Sequence, residues 1–162
     1  MNKRIVLVGP TAGGKTFLRK KLEKRGFKCD VSYTTRKPRP GEEYGVHYNF
    51  ISEDEFTLRI SQGAFYEHVE YNGNRYGTGL YEWNNLPLFI METDGIAHIK
   101  PEDRLSCFII YINPPEEVRI KRMKEDEDRQ WDDETIRKRI ETDNKKFGNF
   151  TDYDIEITTE NF

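Results

Sequence analysis

Short apolar runs alternating with charged, periodic stretches organise the chain. Residues 5–8 form a continuous apolar run with β-branched members. That pattern predicts a strand buried on both faces of a parallel sheet. A glycine-rich stretch follows, and residues 15–25 then predict a helix, with Phe17, Leu18 and Leu22 on one face, bases on the other and Gly26 as the stop. Residues 27–32 predict a second strand, and residues 86–91 and 107–112 two more. A helix over 116–124 starts after Pro114-Pro115, and a helix over 133–146 carries Ile136 and Ile140 four residues apart. Residues 154–158 predict a last short strand. Strands alternating with helices predict an α/β three-layer fold with a mainly parallel central sheet.

Residues 33–80 break this rhythm. Pro38, Pro40 and glycines at 41, 45, 63, 73, 77 and 79 are interleaved with aromatic residues. Short strands and turns are expected, with one helix over 52–62, where Ser52 is an N-cap and Glu55 completes a capping box. The segment reads as an insertion with its own small mixed or antiparallel sheet. The chain then divides into a core (1–32, 81–123 and 134–162), this insertion (33–80) and a short lid (124–133), all within a single domain.

Composition narrows the class. A length of 162 residues suits one domain, and 13 % aromatic residues argue against disorder although 34 % are charged. A net charge of −3 excludes a strong global field for nucleic acid or a membrane. The charge is uneven: residues 15–39 are basic, and residues 125–134 are acidic apart from Arg129. Cys29 and Cys107 sit in apolar stretches and lack metal-site spacing, so they read as buried thiols of a reducing compartment. The N-terminal apolar run is too short for a signal peptide, and no run is long enough to cross a bilayer. A soluble, cytoplasmic protein is expected.

Gly9-Pro10-Thr11-Ala12-Gly13-Gly14-Lys15-Thr16 satisfies G-x-x-x-x-G-K-[ST], directly after a predicted strand and directly before a predicted helix. Glycines let backbone N–H groups converge on phosphate oxygens, and the helix turns its positive end to the same anion. Lys15 can reach the β and γ phosphates, and Thr16 can ligate Mg²⁺. Gly9 to Thr16, with Phe17 following, are the candidate ATP-binding residues. By itself the loop names no second substrate.

Ser32-Tyr33-Thr34-Thr35-Arg36-Lys37-Pro38-Arg39 places two arginines three apart in a proline-stiffened turn. Guanidinium forks bind phosphate oxygens bidentately, and Tyr48 and Tyr76 could add phenolic donors. An exposed basic turn reads equally well from these residues alone. The longer stretch contains S-x-T-T-R-x-P-R-x-G-E, Tyr44-Gly45, His47-Tyr48-Asn49-Phe50, Gly63-Ala64-Phe65-Tyr66-Glu67 and Gly73-Asn74-Arg75-Tyr76-Gly77-Thr78. In that order it resembles the guanylate kinase family.

The resemblance implies that Arg36, Arg39, Tyr48 and Tyr76 hold the phosphate of GMP and that Ser32, Glu67 and Thr78 read the base. Guanine offers N1–H and N2–H₂ as donors, which one carboxylate can accept, while adenine would leave Glu67 unpaired. The strand ending in Glu92-Thr93-Asp94 is similar to the family's acidic strand end, which implies GMP contact and a share in the Mg²⁺ site for Glu92 and Asp94. The turn after them is shorter here than in the family. Lys15, Arg39, Arg129 and Arg139 are the implied catalytic cations. Arg129 lies in an acidic run without the family's G-R-G, and Arg122 and Arg137 read equally as solvated helix charges. Where the family places an Asn-Asp pair near adenine, this chain has Thr158-Thr159 and stops at Phe162, which implies altered adenine contacts.

The expected reaction is ATP-dependent phosphorylation of GMP, and of dGMP, by a monomer or homodimer. Rivals are a kinase of another nucleoside monophosphate or of a ribose bisphosphate, and a guanylate-kinase-like module that binds phosphopeptides without transferring phosphate. The intact phosphate loop argues against the module.

Overall fold

The computed structural model describes residues 3–71, 73–129 and 131–159. In chain order its elements are β1 (Arg4–Val8), α1 (Lys15–Glu23), β2 (Tyr33–Thr34), β3 (Asn49–Phe50), α2 (Glu53–Ser61), β4 (Phe65–Tyr71), β5 (Asn74–Gly79), α3 (Leu80–Asn85), β6 (Leu88–Ile90), α4 (Thr93–Ala97), α5 (Pro101–Arg104), β7 (Cys107–Ile112), α6 (Glu116–Lys124), α7 (Asp133–Phe147) and β8 (Ile155–Ile157).

The first sheet has the order β6-β1-β7-β8, and every pairing in it is parallel. Because β1 is central, successive residues feed opposite faces. Val6 and Val8 join Trp83, Phe89, Ile96, Ile109 and Phe147 on one side. Leu7 joins Leu88 and Ile112 on the other, over Leu18 and Leu22 of α1. Helices on both faces satisfy the requirement of a parallel sheet that neither face meet water.

The second sheet has the order β3-β2-β5-β4 and mixes one parallel with two antiparallel pairings. All its strands fall in the insertion. Asn72-Gly73 in the sequence is a strong two-residue hairpin signal between Tyr71 and Asn74, and Gly73 takes φ +68°. A bulge between Phe65 and Glu67 sets Glu67 directly opposite Thr78. Bulges re-aim side chains in this way, and here the re-aimed side chain points into the cleft between the sheets.

Several expectations need correction. Residues 27–32 do not form a strand: Cys29 makes an isolated bridge to Leu88, and the Asp30 N–H donates to the Leu88 carbonyl at 2.8 Å. The chain then leaves this sheet edge to enter the second sheet at Tyr33, so no ladder extends. Phe17 does not share the buried face of α1; it is 53 % exposed, with the Lys21 ammonium 4.7 Å from its ring. The expected strand over 86–91 shortens to Leu88–Ile90, because the Leu86 N–H is spent on the Glu82 carbonyl and Pro87 has no donor. The capping box is half made: Ser52 Oγ accepts the Glu55 N–H at 3.1 Å, but the Glu55 carboxylate turns to Arg59 at 2.9 Å. Helices α3, α4 and α5 have six, five and four residues, too short to show a helical period.

Trp83 ties the two sheets together. Its ring stacks on Tyr66 of β4 at 3.9 Å between centroids, packs on Phe89 of β6 at 5.0 Å, and lies 4.4 Å from the Arg4 guanidinium carbon. Its Nε1 has no hydrogen-bond partner among the described residues, so its contribution is packing. Trp83→Ala is expected to cost about 3–5 kcal/mol, and Trp83→Phe much less, as read from urea denaturation midpoints.

Candidate active site

The phosphate loop takes its shape from close backbone contacts. A Cβ on Gly9 would lie 2.2 Å from the Ile112 carbonyl oxygen, and one on Gly13 would lie 2.9 Å from that of Pro10. Ala12 is the only non-glycine described residue with positive φ, at +57°. Helix α1 opens at Gly14 with φ +115°, no side-chain cap and no acid in its first turn. Its leading N–H groups are thus left for an anion. The Lys15 ammonium folds back to donate to the carbonyls of Gly9 and Pro10. Burial lowers its pKa, and Glu92 and Asp143 pull the other way.

A buried acid braces the loop from behind. Asp143 of α7 accepts the Thr11 N–H at 2.9 Å and the Arg119 guanidinium at 3.1 Å. Both charged side chains are almost wholly buried. Arg122 donates to the carbonyls of Ala12 and Gly13 at 3.0 and 2.9 Å. It is therefore a clamp on the loop and not a solvated helix charge. Arg137 is a solvated charge, paired on the exposed face with Glu141.

At the far end of the cleft, Thr78 Oγ1 donates to Glu67 Oε1 at 2.6 Å, while Oε2 is buried without a partner among the described residues. Burial raises the Glu67 pKa, partly offset by Thr78. Ser32 Oγ donates to Asp30 Oδ2 at 2.7 Å. Burial pushes the Asp30 carboxyl up to about 7; Ser32 opposes the shift, and Glu82 and Glu67 add to it.

Between these ends lie the cations. Arg36 pairs with Glu42 at 2.9 Å and sits 5.4 Å from the Tyr48 ring centroid. Tyr48 and Tyr76 meet edge to face at 6.0 Å, and burial raises the Tyr48 phenol to about 12. The pKa of Arg39 is lowered first by desolvation and then by Arg36, Arg129 and Arg139. This convergence of like charges suits a polyanion. Glu92 and Asp94 are half exposed and face Lys146, at 3.0 and 3.7 Å. Partial desolvation would raise the Glu92 pKa, but Lys15, Lys146 and Arg139 hold it below the ordinary carboxylate range. In the lid, Asp126 accepts from the Arg129 N–H at 3.3 Å and from the Trp131 indole at 3.2 Å. Gln130 lies outside the described residues.

All the site residues expected from the sequence except Pro10 line one open cleft of about 720 Å³. Pro10 is buried behind the loop and contributes its carbonyl. Three residues that sequence reasoning missed also line the cleft, Asp30, Asp143 and Lys146, and a fourth, Arg119, stands behind Asp143 as its buried partner. Asp143 and Lys146 follow Arg139 at four and seven residues, one face of α7, and that spacing could have found them. Asp30 and Arg119 carried no comparable signal.

A P-loop on a parallel sheet, facing a second sheet with buried acceptors at one end and arginines between, defines a P-loop kinase that acts on nucleotides. Comparison with known proteins agrees. The sequence model of the guanylate kinase family matches residues 1–162, and the chain belongs to that family. It is 36 % identical over 144 residues to a guanylate kinase of Oleidesulfovibrio alaskensis, covering 84 % of this chain and 69 % of that protein. It is 38 % identical over 120 residues to one of Sus scrofa, covering 68 % of this chain and 60 % of that protein. The crystal structure of guanylate kinase from Anaplasma phagocytophilum superposes with a TM-score of 0.73 at 25 % identity, over 99 % of this chain and 78 % of that one.

Two outcomes are expected. Asp143→Ala strands the buried Arg119 charge and frees Thr11, so stability should fall by about 3–5 kcal/mol and the KM for ATP should rise more than that for GMP, as measured by denaturation and initial rates. Asp30 binds its proton more tightly in the folded chain than the ordinary value of 3.8. Its contribution to stability is therefore greatest below that value, declines as pH rises toward about 7, and is flat above. Asp30→Asn removes this decline. Its stability gain over the parent chain should widen across that interval and then level, as followed by melting temperature against pH.

Proposed function

We propose that the chain catalyses ATP + GMP ⇌ ADP + GDP, and the corresponding reaction of dGMP. The observation that carries this is the pairing, within one cleft, of an intact phosphate loop with a buried base site whose polar atoms are acceptors. Glu67 Oε2 has no partner among the described residues, and the carboxylate can take N1–H and N2–H of guanine. Thr78, its proton given to Glu67, also presents lone pairs. Adenine, with an acceptor at N1, would leave a buried carboxylate unpaired.

The residues then divide by position. Backbone N–H groups of 13–16 and Lys15 hold the ATP phosphates, and Lys15 must leave the Gly9 and Pro10 carbonyls to do so. Arg36, Arg39, Tyr48 and Tyr76 hold the GMP phosphate. Arg129 and Arg139 complete the positive field around the transferred phosphoryl group, whose transition state spreads charge over its equatorial oxygens. Glu92 and Asp94 orient the acceptor side through Lys146. The hard oxygen donors of Thr16, Glu92 and Asp94 suit Mg²⁺ shared with phosphates. Bound there, Mg²⁺ would neutralise developing phosphate charge. Among the described residues no helix is long and apolar enough to cross a membrane.

A coupled assay across GMP, dGMP, AMP and UMP tests the reading. GMP and dGMP should be turned over at least about 100-fold more efficiently than AMP; equal rates on AMP would sink the guanine assignment. Lys15→Ala should abolish transfer, whereas a chain that works unchanged without Lys15 would be a binding module.

A further inference from the structure

Two lid side chains stand outside the roles given above, Asp126 and Trp131. Of the four acids that precede Arg129, Glu125, Glu127 and Asp128 are exposed, and Asp126 alone is half-buried. Asp126 Oδ1 accepts the Arg129 N–H at 3.3 Å, and Oδ2 accepts the Trp131 indole N–H at 3.2 Å. Trp131 stands immediately before Asp132, the N-cap of α7, and packs on the cluster that holds Ile136. These are the two positions of a hydrophobic staple. A staple asks only for an apolar side chain. Tryptophan adds an N–H for Asp126 and a ring whose centroid is 5.8 Å from the Arg129 guanidinium carbon. Asp126, Arg129 and Trp131 all line the cleft, together with Arg39 and Arg139.

We propose that Trp131 is a positioning residue for phosphoryl transfer: anchored on α7, its indole holds the Asp126 carboxylate and, with it, the Arg129 guanidinium on the cleft side of the lid. The proposal rests on the reading of Arg129 as a cation of the transfer step and deepens it. Arginine has many rotamers, and ordering it at the moment of reaction costs entropy. A side chain held beforehand avoids that cost. The hold still leaves the charge available to a substrate. Arg129 Nε stands 3.6 Å from Asp126 Oδ2, an oxygen already shared with the indole, and both side chains remain partly exposed to water. Such a contact is weak, and the Arg129 charge still acts on Arg39 across the cleft. Without the indole donor, both carboxylate oxygens would be open to the guanidinium fork, and a closer pair would turn Arg129 away from the phosphates.

Single-turnover transfer from ATP to GMP is measured on the full chain, because that rate constant depends neither on product release nor on the active fraction of a preparation. The variants are Trp131→Phe, Trp131→Leu, Arg129→Ala, and Trp131→Phe combined with Arg129→Ala. Phe and Leu both keep the staple and discard the N–H, and urea midpoints check that each variant folds. Trp131→Phe should slow transfer about tenfold, while the Kd values for ATP and GMP change by less than about twofold. With Arg129→Ala already present it should slow transfer no further, because Trp131 acts through Arg129. Equal slowing on both backgrounds, or a rate unchanged in both Trp131→Phe and Trp131→Leu, would overturn the proposal. An Arg129→Ala chain that phosphorylates GMP as fast as the parent overturns this proposal alone; a parent chain inactive on GMP overturns the guanylate kinase reading with it.

Discussion

Asp143 accepts the Thr11 N–H and the Arg119 guanidinium from a position almost wholly removed from water. A buried charge pair of this kind adds little net stability but is expensive to break. It therefore acts as a fixed reference. It sets the phosphate loop against α7, and α7 carries Arg139 and Lys146 on the same face. The loop and the Glu92–Asp94 pair are thereby registered to one helix, which also carries Arg139. A few buried hydrophobic residues complete the joint: Met123, Ile136 and Ile140 pack with Ala12 and with Trp131 of the lid. Ala12 of the loop and Trp131 thus pack against one shared cluster.

The acidic lid has an account in this arrangement. Asp126 does not face the nucleotide cleft as a bare charge; it accepts from Arg129 and Trp131. Arg129 is therefore oriented by a carboxylate three residues earlier, and not by a glycine-flanked loop. Its charge still reaches Arg39 across the cleft. Arg36, Arg129 and Arg139 all bear as like charges on Arg39, so the cleft between them suits an anion.

At the base end, stability and selectivity pull in opposite directions. Glu67 and Asp30 are both buried, each has an oxygen unpartnered among the described residues, burial raises the pKa of both, and Glu67 adds to the shift of Asp30. Buried groups of this kind are typical of sites in which the fold sacrifices stability for recognition. The bulge in β4 and the bond from Thr78 hold Glu67 in place at that cost.

Much of the fold was legible in the residues. The strand at β1, the β7 run and the helices α6 and α7 followed from apolar runs and spacing, because central parallel strands and amphipathic helices impose those patterns locally. The phosphate loop was legible because its glycine and lysine spacing is a local pattern, although the contact that excludes a side chain at Gly9 comes from Ile112. What the sequence left open were features made by distant segments. Strand 27–32 is reduced to one bridge because the chain leaves that sheet edge for the second sheet at Tyr33; Arg122 became a clamp because it reaches a loop about 110 residues earlier. Asp30 joined the site only because the chain crosses there between two sheets. The sequence by itself determined the kind of fold and the chemistry available to it. The tertiary structure decided which charges are buried and which hydroxyl protons are already spent, since hydrogen-bond partners and desolvation come from segments that meet only in the folded chain.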